Sequence, residues 1–356
     1  MSYEKRRENY IQLEKARKSK LICYVTGTRA GLETAIAPDT YTLMAQHLDE
    51  IGPVKKISLF LLTNGGQTMA AWSLINLIKH YCDDFEVIVP FQALSAGTLM
   101  CLAADNIVMA KQATLGPIDP SVNQPLNPQH PNNPNVRIPV SVEAIQGYFD
   151  LAGEELKISD QAEKAKIFLK LAESIHPLVL GTAFRARTQI QMLARKLLMG
   201  RMEEVKIDRI IKFLCSDSGS HDYPIHRREA RKELGLPIET PSVPLYALIK
   251  STFAAIDEDL QFSGRLDPNS VLAGGNEREY SYTRAIIESV GGGSHAYLTE
   301  GRYQRHNPSN GGAPAIQDMR LFEGWKHSPS AHLPQTDSQK PSRKRSPKAP
   351  EIPNAP

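Results

Sequence analysis

Ile57-Ser-Leu-Phe-Leu-Leu-Thr-Asn-Gly-Gly-Gln67 is the stretch on which the fold turns. Its first six residues form a short, mostly apolar run that suits a buried strand. Gly65 and Gly66 follow, and paired glycines let the backbone turn sharply with its amides pointing outward. Met69, Trp72, Ile75, Ile78 and Cys82 then recur every three or four residues, which is one face of a helix. The stretch therefore reads as strand, tight turn, helix.

The same rhythm continues on both sides. Upstream, Leu21-Ile-Cys-Tyr-Val25 is a buried-strand run, and Asp39 to Ile51 has helical spacing with Asp39 placed to cap it. Downstream, Phe85 to Val89 reads as a third strand, Leu99 to Ala104 as a short buried helix and Ile107 to Ala110 as a fourth strand. Strands alternating with helices predict an α/β fold with a mostly parallel sheet. Pro117 to Pro139 holds 7 prolines in 23 residues and predicts an irregular loop or flap. Ser141 to Cys215 is helix-rich, and Arg227 to Leu234 and Leu245 to Leu260 read as two more helices. Between Asp267 and Gly301 no clear period emerges. Gly291-Gly-Gly293 lacks a strand-to-helix context and a following Lys-Ser/Thr, so a linker is expected there rather than a phosphate loop.

Four segments are expected. Residues 1–19 form a polar surface helix or arm, 20–240 the main α/β domain, 241–326 an extension of unclear fold, and 327–356 a disordered basic tail rich in proline. Of the formal net charge of +3, all lies in that tail, and the remainder carries 37 basic and 37 acidic residues. A neutral body argues against a nucleic-acid partner. Apolar residues at 41% and charged residues at 23% are enough for a full core. No run is long and apolar enough for a membrane span, and no signal peptide opens the chain, so a cytoplasmic protein is expected. Cys23, Cys82, Cys101 and Cys215 have no metal-ligand spacing and are expected as free thiols, mostly buried. No metal or cofactor is expected.

Two segments can carry chemistry. The Gly65-Gly66 turn offers amides at a helix N-terminus, where developing negative charge is stabilised. In Phe91-Gln-Ala-Leu-Ser-Ala-Gly-Thr98, small residues surround Ser95 where a strand ends, and the Ala96 amide follows as an oxyanion donor. Both lie at the carboxyl ends of neighbouring strands, where binding crevices of open α/β sheets form.

The Gly-Gly turn, Ala93-Leu-Ser-Ala-Gly-Thr98, Leu115-Gly-Pro-Ile-Asp-Pro120 and Ser220-His-Asp-Tyr-Pro-Ile225 together resemble the Clp/crotonase superfamily. They are most similar to the serine dehydrogenase proteinase family of prokaryotes, which is related to signal peptide peptidase A and to the Clp protease proteolytic subunit. The resemblance covers about Lys20 to Ile238. It implies a ββα superhelix with a helix-rich second half, and a serine peptidase acting on peptide or protein through an acyl-enzyme at Ser95. Gly66 and Ala96 amides would then form the oxyanion hole, with Gly65 and Gln67 beside the substrate. It also implies a homo-oligomer, with contacts from the Ser141 to Cys215 region.

The general base departs from the family pattern. The Clp subunit has a histidine about two dozen residues after its serine, and here Gly116 to Ser121 contains none. His221 beside Asp222, ahead of the Arg227 helix, is the first candidate. Lys196 is the second, by likeness to signal peptide peptidases, and His130 and His176 remain open. Two other functions stay in play: a crotonase-like acyl-CoA enzyme using the same oxyanion geometry, and a non-catalytic scaffold of the same fold.

Overall fold

The computed structural model describes residues 2–306 and 315–330. Helix α1 (Ser2–Arg17) leads into β1 (Lys20–Thr26), α2 (Thr40–Ile51), β2 (Val54–Leu62), α3 (Thr68–Lys79) and β3 (Cys82–Val89). The short β4 (Gln92–Ala93), α4 (Ala96–Leu102), β5 (Asn106–Met109) and β6 (Thr114–Leu115) follow. In the proline-rich stretch sit only short strands, β7 (Ser121–Val122), β8 (Gln129–His130) and β9 (Asn133–Arg137), with β10 (Val140–Ser141) just after it. Helices α5 (Val142–Asp150), α6 (Gln161–Ser174), α7 (Pro177–Leu198) and α8 (Glu204–Lys212) make the helix-rich region. Then come β11 (Ile225–His226), α9 (Arg227–Lys232), β12 (Ile238–Glu239), α10 (Val243–Leu260) and α11 (Pro268–Leu272). The chain continues in β13 (Glu277–Ser289), β14 (Gly293–His306) and β15 (Ala315–Ser328).

The apolar runs become the centre of an eight-stranded sheet in the order β12-β5-β3-β2-β1-β13-β14-β15. From β12 to β1 every pairing is parallel, and from β1 to β15 every pairing is antiparallel. Parallel strands need cover on both faces, which explains why six consecutive residues of β1 are buried. Above the carboxyl ends of these strands lies a second, smaller layer. In it β4 pairs with β6, β6 with β11, and single bridges join Thr63 to Ala93 and Ile36 to Gly66. Strand, short upper strand, helix is thus the repeating unit, the mixed α/β superhelix that the Clp/crotonase resemblance implies. Helix α4 is enclosed between the layers, with all seven residues buried.

Four expectations change. Helix α1 is not a surface arm. Tyr10 and Leu13 are fully buried in the main core, and Arg6 reaches Glu288 of β13 with paired hydrogen bonds of 2.9 and 2.7 Å. The 241–326 extension has a definite fold, because α10 packs on α1 and the β13–β15 meander continues the main sheet. Gly291 to Gly293 is a tight hairpin turn rather than a linker. A Cβ at Gly292 would meet His47 Nδ1 at 2.3 Å, and Gly293 takes a left-handed φ of 75°. Strand β15 also carries His327 and Ser328, which were assigned to the tail, while residues 331–356 lie outside the described residues.

Burying charge inside the sheet requires partners. Glu86 of β3 is fully buried, and burial alone would raise its pKa. Hydrogen bonds from Arg17, Asn106, Lys56 and Ser58 outweigh that and hold it at about 2. Cys23, Cys101 and Cys215 are buried free thiols, and Cys82 is half-buried.

Candidate active site

Ser95 stands between β4 and α4 with φ 50° and ψ −113°. A residue with a side chain rarely takes this conformation, and such strain persists where the surroundings enforce it. Here the neighbours enforce it. The Thr63–Ala93 bridge fixes the incoming strand, with Leu94 N donating to Thr63 O at 3.0 Å. Buried α4 fixes the outgoing chain, with Leu99 N donating to Ser95 O at 3.0 Å. Ser95 does not spend its hydroxyl on capping α4, and its Oγ has no hydrogen-bond partner among the described residues.

The Gly-Gly turn closes over this residue. A Cβ at Gly65 would lie 2.8 Å from Leu94 O and 2.9 Å from Ser95 Cβ, so only glycine fits, at a φ of 106°. Gly65 N donates to Thr63 Oγ1 at 2.9 Å, and Ile36 N donates to Gly65 O at 2.8 Å. These bonds fix the turn and leave the Gly66 and Ala96 amides without an acceptor among the described residues. Gln67 is exposed at the start of α3, beside an apolar groove of about 390 Å³ walled by Pro38, Tyr41, Met69 and Leu74.

His221 lies on an exposed turn, and its side chain is 48% exposed. Its Nδ1 is 2.8 Å from Oδ1 of Asp119, whose side chain is only 4% exposed. An ionised carboxylate only accepts, so Nδ1 carries the proton and Nε2 keeps its lone pair. The hydrogen bond that His221 donates to Asp119 raises its pKa above the ordinary value, against an opposing effect of burial. Asp119 belongs to the Leu115–Pro120 segment that runs from β6, beside Leu94. A Cβ at Gly116 would meet Leu94 Cδ2 at 3.1 Å, and Thr98 Oγ1 of α4 accepts from Gly116 N at 3.0 Å. One continuous segment therefore links the serine turn to the histidine's carboxylate. No hydrogen bond joins His221 to Ser95 among the described residues. His221 opens instead on an acidic cavity of about 610 Å³, with Glu143, Asp150 and Asp217 in its walls.

The remaining sites from the sequence lie elsewhere. Asp222 is exposed, and its only bond in this turn is from its own N–H to Ser220 Oγ at 3.2 Å, so Asp119 and not Asp222 orients His221. Lys196 is exposed on α7 and makes no hydrogen bond among the described residues. His130 is exposed in β8 and accepts from Asn132 N, and His176 caps α7 by accepting from Leu178 N. Asp119 was visible in the Leu115–Pro120 motif, but its role depends on a contact 102 residues away in sequence.

Comparison with known proteins bears on the same region. The signature of ClpP-like SDH-type serine proteinases matches residues 47–175, which include the Gly-Gly turn, Ser95 and Asp119. Two uncharacterized proteins of Methanocaldococcus jannaschii are similar in sequence. One is 34% identical over 198 residues, covering 55% of this chain and 58% of that protein. The other is 29% identical over 196 residues, covering 54% and 56%. The chain thus spans little more than half the length of either relative. Among solved structures, a mutant of a membrane-bound stomatin-specific protease aligns at 15% identity and a TM-score of 0.38, covering 65% of this chain and 85% of that one. A ClpP1 mutant from Listeria monocytogenes aligns at 15% identity and a TM-score of 0.34, covering 66% and 99%. Over residues 47–175 the chain is similar to the ClpP-like SDH-type serine proteinases.

Proposed function

We propose that the protein hydrolyses peptide bonds through an acyl-enzyme on Ser95. The observation that carries this reading is the strained backbone of Ser95, held at φ 50° and ψ −113°, with its hydroxyl and the Gly66 and Ala96 amides unpaired among the described residues. In the proposed reaction, Ser95 Oγ attacks the scissile carbonyl while His221 Nε2 takes its proton. Gly66 and Ala96 amides stabilise the oxyanion. The His221 proton passes to the leaving amine, and water then releases the acyl group by the same route. Asp119 keeps the imidazole in the tautomer that leaves Nε2 free. Catalytic hydrogen bonds tighten when substrate binds, and the proposal requires the turn bearing His221 to close on Ser95. The apolar groove next to Gln67 would take an apolar substrate side chain.

The active form in this proposal is a homo-oligomer. Helix α6 buries no residue of its own and leaves Phe168 and Leu169 exposed, a surface that a second copy would cover. Among the described residues no single helix is long and apolar enough to cross a membrane.

Hydrolysis of dye-quenched casein tests the assignment. Wild type should cleave it, Ser95→Ala should fall to background, and His221→Ala should lose about 10²- to 10⁴-fold, the usual worth of a general base. Lys196→Ala should stay within about twofold, as an exposed surface change does. Undiminished cleavage by Ser95→Ala would remove the proposal.

A further inference from the structure

Thr98 lies fully buried in the first turn of α4, and its hydroxyl is used in an uncommon way. A helical threonine ordinarily donates to a carbonyl of its own helix three or four residues back. Thr182, Thr188 and Thr252 do so, each to the carbonyl four residues earlier, of Leu178, Phe184 and Leu248. Thr98 reaches out of its helix instead. Its Oγ1 is 2.8 Å from the Ala93 carbonyl of β4 and 2.8 Å from the Gly116 carbonyl just beyond β6, and it accepts from Gly116 N at 3.0 Å. With a single proton, the hydroxyl donates to one carbonyl at a time and takes the amide on a lone pair.

This hydroxyl joins the two halves of the proposed chemistry. Ser95 is held to the end of β2. Thr63 N donates to Gln92 O at 3.0 Å, and a Cβ at Gly97 would lie 2.5 Å from Thr63 Cγ2, so α4 sits tight against that strand end. Asp119 is held to the helix-rich region. Ile118 N donates to Leu214 O at 2.8 Å and Val142 N to Pro120 O at 3.3 Å, which anchors the carboxylate from both sides. The β4–β6 pairing between these parts covers only Gln92–Thr114 and Ala93–Leu115. Thr98 carries it one residue further, binding both polar groups of Gly116 where the ladder stops.

We propose that Thr98 is a positioning residue whose hydroxyl sets the spacing between the nucleophile turn and the segment that carries the histidine's carboxylate. This rests on the reading of Ser95 as nucleophile and His221 as base. Thr98 acts by holding Gly116 against β4, so that Asp119, and His221 bonded to it, stand at a fixed place relative to Ser95. The anchors on Ile118 and Pro120 do not pass through Thr98. Loosening Thr98 therefore leaves the Asp119–His221 bond intact and changes only how well the imidazole meets Ser95 Oγ. A misplacement of about 1 Å is enough to slow a reaction about 10²-fold.

Thr98→Val keeps the side-chain shape and removes the hydroxyl, while Thr98→Ser keeps the hydroxyl. Each is compared with wild type by the rate of fluorophosphonate labelling at Ser95 across pH, by kcat and KM on a quenched peptide, and by Tm. The Tm of Thr98→Val should fall, because the buried Gly116 N–H loses its acceptor, so rates are read well below it. Labelling and kcat should drop about 10- to 100-fold in Thr98→Val with KM within about twofold, the pattern of a contact that matters only in the transition state. The pH inflection should stay where wild type has it, and Thr98→Ser should recover to within about threefold of wild type. Gly116→Ala disturbs the same junction from the other side, since its Cβ would meet Leu94 Cδ2 at 3.1 Å, and it keeps the test standing if Thr98→Val does not fold. It should slow labelling about fivefold or more, again without moving the inflection. A purely structural role would lower the Tm of Thr98→Val and leave the labelling rate of the folded chain unchanged. Equal labelling of wild type and Thr98→Val, a loss carried by KM, a moved inflection or no recovery in Thr98→Ser would overturn the inference and leave Ser95 as nucleophile. No labelling of wild type would overturn both.

Discussion

Ser95 and His221 depend on different neighbours, and each neighbour has a measurable consequence. The Asp119 carboxylate raises the pKa of His221, so the imidazole is a free base only above a value higher than the ordinary 6.5. A hydrolysis rate that needs this base should fall as pH drops through that raised value. Asp119→Asn removes the cause, so the inflection should move to lower pH while the plateau drops, by about 10⁴-fold at most on the precedent of triad carboxylates. The pH–rate profile of the two proteins checks this. An unmoved inflection would mean that His221 is not the titrating base. The placement of Ser95 beside the Gly-Gly turn was legible because strand, turn and helix are contiguous in sequence. Asp119 was not, since nothing local points from Ile118-Asp119-Pro120 to a histidine on a distant turn. Asp222 misled through adjacency: the Ser220–Tyr223 turn, closed by Tyr223 N to Ser220 O at 3.1 Å, sends it into solvent.

At the scale of elements, α1 shows how a charged sequence hides a buried role. Its residues read as polar, yet Arg6 is 2% exposed and supports fully buried Glu288, which also accepts from Tyr10 at 2.6 Å and Ser294 at 2.6 Å. Arg6→Ala would leave that carboxylate buried without its cation. A loss of about 3–5 kcal/mol in urea unfolding is expected, the usual cost of breaking a buried pair. A loss under about 1 kcal/mol would make it an ordinary surface pair. The parallel strands were legible because burial on both faces leaves unbroken apolar runs. Strands β13 to β15 were not: their burial alternates irregularly, β13 and β14 carry Arg, Glu and Tyr through their length, and register shifts interrupt the pairing at Thr283 and Glu300. The glycine run that read as a linker is the turn that lets β14 pass close to His47.

For the whole molecule, that turn joins the meander to the α/β body through histidines. His47 is fully buried on α2, 2.8 Å from Ser289 Oγ and 3.0 Å from His295 Nδ1, and His295 stacks on His327 at 4.2 Å between ring centroids. Burial first, then the neighbouring His295 and His327, hold His47 down at about 3, and burial with His327 holds His295 at about 4. Both are neutral when folded and take up protons when unfolded. Stability should therefore be complete above pH 6.5 and decline as pH falls from there toward 4. Between pH 7.5 and 5, His47 alone should contribute about 2 kcal/mol of that loss. Urea midpoints across this range should show the decline, and His47→Asn should flatten it. An equally steep decline in His47→Asn would assign the effect to other groups.

The account stands or falls on Ser95 as an activated nucleophile. Intact-mass detection of a fluorophosphonate adduct on wild type, Ser95→Ala, His221→Ala and Lys196→Ala tests it most directly. One adduct per chain on wild type and Lys196→Ala, none on Ser95→Ala and a much slower one on His221→Ala is the predicted result. Equal labelling of Ser95→Ala, or no labelling of folded wild type, would contradict it.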